Sequence, residues 1–306
     1  MAADCSTPPG RRCSSVASSG DIMGLRAASF RSVPSMGAAA TTMADLVAPG
    51  VWWLHRTRGS NVYLVQAADG QLALIDTGFG SNVRAILDEV RSVAGETPLA
   101  YILLTHNHFD HTGAALELRN RTGARVAAGL GDCTPAPNGN GRTVTRTTGR
   151  SHIARFVSRW LLRRRNLPLP VDLVLDGETE VLPGLRAYPA PGHTPGSFCF
   201  VATGPGAAFV GDMVISHHRR LSRPMALANA DNNLYEESLA AFAQVAPPIG
   251  CPGHGQPLTA GFDAALCGLT GRTRRPPSIA GLRRRAVRLR TFMRNMYRRR
   301  SPRREP

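Results

Sequence analysis

Apolar and polar positions change period several times along the chain, and each change predicts an element. NVYLVQ (61–66) and QLALIDTG (71–78) are short apolar runs on either side of Asp69-Gly70, a β-hairpin signal. Residues 81–94 switch to helical spacing, with Val83, Ile86, Leu87, Val90 and Val93 on one face. LAYILLT (99–105) is continuously apolar, the pattern of a strand buried on both sides. A helix from Thr112 through AALELRNRT, closed by Gly123, and a strand RVAA (125–128) follow. Strand and helix alternate through the first half, which favours an α/β layered domain.

Residues 131–150 hold Pro, Asn, Gly and Thr without periodicity and read as a loop. Helical spacing returns over 151–165, where Ile153, Phe156, Val157, Trp160 and Leu161 share a face and Arg covers the rest. That face suits either plain core packing or a lid over a pocket. Strands are expected near 171–175, 185–189, 197–202 and 207–212, and a helix near 234–245. No run approaches 18 apolar residues, so no membrane-spanning helix is expected.

Charge divides the chain in three. The formal net charge is +16, and all 37 basic residues are Arg. Residues 44–271 hold 19 Arg against 18 acids, whereas residues 272–306 hold 14 Arg and one acid. The nearly neutral middle argues against a nucleic-acid groove in the body, leaving the basic character to the tail. From 279 to 297, Leu282, Ala286, Leu289, Met293 and Met296 step at helical spacing among Arg. This tail reads as a basic amphipathic helix for an anionic membrane, nucleic acid or an acidic protein, or as a disordered segment without a partner. Residues 1–43 are rich in Ser, Ala, Gly and Pro and read as a disordered extension, or as chain upstream of a true start at Met43. Arg11 and Arg12 precede no apolar stretch, so no export signal is expected. The six Cys form no Cys-x-x-Cys pair and read as reduced thiols, which favours the cytoplasm.

The chemistry concentrates in five segments: IDTG (75–78), THNHFDH (105–111), PAPGHTPGS (189–197), FVGDM (209–213) and PGHG (252–255). THNHFDH places His106, His108, Asp110 and His111 within six residues, directly after a predicted buried strand. Two imidazoles one residue apart can face one centre, and the Asp and His behind them can reach a second. Such nitrogen and oxygen ligands suit zinc. His193 and His254 each follow Pro-Gly, where a sharp turn can aim a side chain off a strand end, and Asp212 follows an apolar run and Gly211. His217-His218 read as exposed loop residues or pocket lining, and His55 and His152 have no motif around them.

His-x-His-x-Asp-His, then Gly-His-Thr-Pro-Gly-Ser, Gly-Asp after a strand, and Gly-His-Gly resemble the metallo-β-lactamase superfamily, in the family's order over about residues 50–258. The resemblance implies an αββα sandwich with metals at one edge. It implies that His106, His108 and His193 hold a first divalent ion and that Asp110, His111 and His254 hold a second. Asp212 would bridge the two, and Asp76 would support the ligand loop rather than bind metal. Zinc is the default, with iron or manganese as alternatives. Two cations lower the pKa of a shared water, so the implied reaction is hydrolysis by a bridging hydroxide that Asp110 orients. True metallo-β-lactamases typically lack the bridging Asp. The full set resembles glyoxalase II, N-acyl-homoserine lactonases and the ribonuclease Z group. The expected substrate is a small carboxyl ester, thioester or lactone; the alternative is a phosphodiester, with the protein a ribonuclease Z-like nuclease.

Overall fold

A computed structural model describes residues 44–144 and 168–271. The expected extension over 1–43, helix over 151–165 and basic tail over 272–306 lie outside the described residues. The described chain builds two large β-sheets and a small one. The first sheet has seven strands: β1 (Ala44–Ala48), β2 (Val51–Leu54), β3 (Val62–Gln66), β4 (Leu72–Ile75), β5 (Leu99–Leu103), β6 (Arg125–Gly129) and, beyond a gap in sequence, β10 (Leu173–Leu175). Its first four strands are antiparallel, whereas β4, β5, β6 and β10 run parallel. Helices α1 (Val83–Ala94), α2 (Phe109–Thr112) and α3 (Ala115–Thr122) provide the crossovers from β4 to β5 and from β5 to β6.

The second sheet orders β11 (Thr179–Leu182), β12 (Leu185–Pro189), β13 (Phe198–Ala202), β14 (Ala207–His217) and β15 (Arg220–Ser222), with β16 (Ile249–His254) parallel to β14. Helices α4 (Asn232–Phe242) and α5 (Phe262–Cys267) pack on its far side.

Side-chain alternation explains why the central strands are apolar at every position. Along β3, Val62 and Leu64 face α1 and α3, while Tyr63 and Val65 face the other sheet. Along β13, Phe198 and Phe200 face the first sheet, while Cys199 and Val201 meet α4 and α5. Three apolar layers therefore lie between four layers of secondary structure, an αββα sandwich. Among the described residues, no helix is long and apolar enough to cross a membrane, and the four cysteines are free.

Several expectations are corrected. The predicted loop 131–150 contains β7 (Cys133–Pro135) and β8 (Arg142–Val144), which pair with β9 (Leu169–Val171) in a three-stranded sheet. Three-residue strands around Pro, Asn and Gly are too short to show a period. The expected strand at 171–175 is two strands parted at Asp172. Its carboxylate accepts hydrogen bonds from Arg119 (2.8 and 3.0 Å) and Val126 N (2.8 Å), drawing the chain from the small sheet to the edge of the large one. The expected strand 207–212 runs on to His217, with register shifts around Gly211. The pairs at 44–54 and the strands at 179–182 and 249–254 carried no clear periodic signal.

Candidate metal centre

The parallel strands end on one edge of the sandwich, and the polar segments sit there. The chain leaves β4 through Asp76, a non-glycine residue in the left-handed region at φ 57°. That conformation is costly for a residue with a Cβ. It turns the carboxylate onto the loop that leaves β5: Asp76 accepts from Thr105 N (2.9 Å), Thr105 Oγ1 (2.8 Å) and His111 Nδ1 (2.7 Å).

These bonds fix which ring nitrogens remain available. His111 spends Nδ1 on Asp76, which leaves Nε2. Thr105 Oγ1 gives its single proton to Asp76, so at 3.0 Å it accepts from His106 Nδ1 and leaves His106 Nε2. That nitrogen is buried without a hydrogen-bond partner. His193 Nδ1 lies 3.0 Å from Asn229 Oδ1, an acceptor, so its Nε2 is left, 3.1 Å from His108 Nδ1. Each assignment follows from the partner's chemistry.

Ligand-type atoms of His106, His108, His193 and Asp212 lie within 4.8 Å of one another, as do those of Asp110, His111 and His254. Asp212 lies between the two groups. Its Oδ2 is 3.5 Å from His193 Nε2, and its Oδ1 is 3.3 Å from both His111 Nε2 and His254 Nε2. Asp110 Oδ2 is 3.4 Å from His254 Nε2.

Protonation suits the same reading. Burial pushes His106 well down, and the neighbouring histidines push it further. Burial and His193 bring His108 down to about 3. Burial opposes ionisation of Asp110 and Asp212. The histidines around them outweigh it, lowering Asp110 to about 2 and Asp212 well below the carboxylate range. Burial likewise opposes a charged His111, but Asp76 and Asp212 together hold it well up. Neutral His106 and His108 and ionised Asp110 and Asp212 around an unpartnered buried nitrogen are the donor state that a divalent cation requires, whereas His111 would give up its Nε2 proton when an ion binds. The residues present could therefore hold two such ions.

Close packing leaves no slack. A Cβ on Gly253 would lie 2.7 Å from His111 Cε1 and 2.9 Å from Asp212 Oδ1. Asn61 Nδ2 donates to Pro252 O (2.8 Å) and Gly255 O (2.7 Å), and Tyr63 Oη to Pro252 O (2.9 Å), so the turn that carries His254 is tied to β3. Asn61, Tyr63, Asp132 and Asn229 were not singled out in the sequence; the first two belong to an evident strand run whose apolar pattern hides their polar role, and isolated Asp and Asn residues in turn-rich segments resemble any loop residue.

All seven expected ligands and Asp76 are brought together. The remaining described histidines are not: His55 is buried beside Asp45 (3.8 Å), and His217 and His218 are exposed at the end of β14. His152 lies outside the described residues.

The chain is similar to several known proteins. The lactamase-like protein aptB of Emericella nidulans is 28% identical over 207 residues, 65% of this chain and 52% of that protein. The thioesterase pkgB of the same fungus is 26% identical over 204 residues, 66% of this chain and 47% of the relative. The chain thus spans about half the length of these two relatives. A solved archaeal metallo-β-lactamase superfamily protein from Sulfolobus tokodaii is 20% identical. It covers 81% of this chain and 96% of its own with a TM-score of 0.51, a likeness of fold. The metallo-β-lactamase superfamily profile matches residues 55–254, a span that holds all eight residues of the site. The chain belongs to the metallo-β-lactamase superfamily.

Proposed function

We propose that the protein is a binuclear metal-dependent hydrolase of a carboxyl ester, thioester or lactone, with a thioester as the leading class. One observation carries the binuclear reading: the two oxygens of Asp212 face different ligand groups, Oδ2 toward His193 and Oδ1 toward His111 and His254. In this reading His106, His108 and His193 would hold one ion, Asp110, His111 and His254 would hold the other, and Asp212 would contribute to both. Zinc suits this donor set, as do iron and manganese. When bound, such ions supply Lewis acidity, polarising a carbonyl oxygen and making water acidic enough to ionise near neutral pH.

The chain's own groups do the rest. Asp110 stays ionised, so its carboxylate accepts a hydrogen bond from the attacking water and orients it toward the carbonyl carbon. Asp76 keeps the proton of His111 on Nδ1, and Asn229 does the same for His193. Three of the described thiols are held in the protonated form, which is a poor nucleophile. Burial pushes the thiols of Cys199 and Cys251 above their ordinary range and that of Cys133 up to about 11. The thioesterase among the relatives supports the thioester class.

A substrate panel tests this reading. Metal-loaded protein is offered S-lactoylglutathione, a p-nitrophenyl ester, an acyl-homoserine lactone and bis-p-nitrophenyl phosphate. Carbonyl substrates should turn over, and Asp110→Ala should lower kcat by about a hundredfold or more. Phosphodiester cleavage with no carbonyl activity would replace this reading with the nuclease one.

A further inference from the structure

The turn after β6 makes contacts that the ligand set alone does not explain. Asp132 ends a short 3-10 turn over Leu130–Asp132 and is 5% exposed. Its Oδ2 accepts from Asn107 N (2.9 Å) and Thr194 Oγ1 (2.7 Å), and its Oδ1 accepts from Gly196 N (3.0 Å). Asn107 stands between His106 and His108, and Thr194 directly follows His193. One buried carboxylate therefore grips both segments that supply the three-histidine group.

Thr194 extends the grip inside its own turn. Its N donates to Ser197 Oγ (2.9 Å), and the two hydroxyls lie 2.8 Å apart. The backbones also meet without space between them. A Cβ on Gly131 would collide with the backbone of Pro195, and one on Gly196 with that of Asp132. The His193 turn cannot move away from Asp132 without breaking this contact.

Asp76 makes the matching arrangement on the other side, where it holds Thr105 and His111. We propose that the two carboxylates share the labour unequally: Asp132 is the positioning residue of the His106–His108–His193 group, while Asp76 holds His111 directly and reaches His106 only through Thr105. The proposal rests on the binuclear reading. It assigns Asp132 no contact with substrate. It makes the affinity of one ion, and not the other, depend on Asp132. Groups that orient metal ligands commonly set affinity by about 10- to 100-fold.

Asp132→Asn tests this, because the amide keeps the shape but exchanges one acceptor oxygen for a donor. Metal-free full-length protein is titrated with Co2+, followed by visible absorption and calorimetry. His193→Ala and His111→Ala mark which ion is which. Wild type should bind two ions. Asp132→Asn should weaken the ion lost in His193→Ala by about 10- to 100-fold, and leave the ion lost in His111→Ala within about twofold. A merely structural role would weaken both together, and that result overturns the assignment, as do two ions at wild-type affinity. Should Asp132→Asn not fold, Thr194→Val removes one of the three bonds. A smaller loss at the same ion is then expected, and unchanged binding overturns the proposal. A wild type that binds fewer than two ions overturns the binuclear reading, and the assignment with it.

Discussion

Glu89 is a fully buried carboxyl on α1 that accepts a hydrogen bond from Arg56 N (3.1 Å). Burial raises it from the ordinary 4.5 to about 8, against smaller opposing effects from Arg56. The sign follows from linkage. Between these two values the unfolded chain loses its proton while the folded chain keeps it. The stability that the protonated group contributes is full below pH 4.5 and is lost as pH rises through 8, at up to about 1.4 kcal/mol per pH unit. Glu89→Gln should flatten that part of the profile. Urea unfolding of both proteins at pH 5 and pH 8, in the same metal state, checks it; equal losses of stability would contradict the assignment. The same scale shows what the sequence could reveal. The candidate ligands were legible because metal chemistry restricts residue type and THNHFDH packs four of them together. Asp132, Asn61 and Asn229 were not, because the partners that tie them to the site lie 25 to 194 residues away and many are backbone atoms, which leave no mark on composition.

Among the elements, α4 shows how a helix start serves the site. Asp231 caps it, accepting from Asn233 N (2.8 Å) and Leu234 N (3.1 Å). The same stretch returns to the His193 turn, since Ala230 N donates to His193 O (3.0 Å) and Asp231 N to Gly192 O (2.9 Å). Asp231→Ala should cost about 1 kcal/mol, read as a lower denaturant midpoint at unchanged m-value. No loss would mean that the cap is idle. The helix was expected at 234–245 and is found at Asn232–Phe242, because the apolar period begins after the polar first turn that the cap secures. Strands buried on both faces were legible as continuous apolar runs. Edge strands of three residues were not, since register with a distant partner, rather than local pattern, makes them strands.

For the whole molecule, strand-helix alternation in the first half was enough to indicate a layered α/β domain. The αββα arrangement came from the resemblance, and the two-sided burial of β3, β4 and β13 accounts for it physically. Layering also brings the ends of β4, β5 and β6, the turn before β13, and β14 and β16 to one edge, so residues as far apart in sequence as Asp76 and His254 form one site. The most direct test of a binuclear hydrolase is thioester hydrolysis by the full-length protein before chelation, after exhaustive chelation and after divalent metal is restored, with bound metal counted at each stage. Two ions per chain are expected in the active protein, with loss of hydrolysis when they are removed and recovery when both return. Undiminished hydrolysis by protein holding no metal would contradict that expectation.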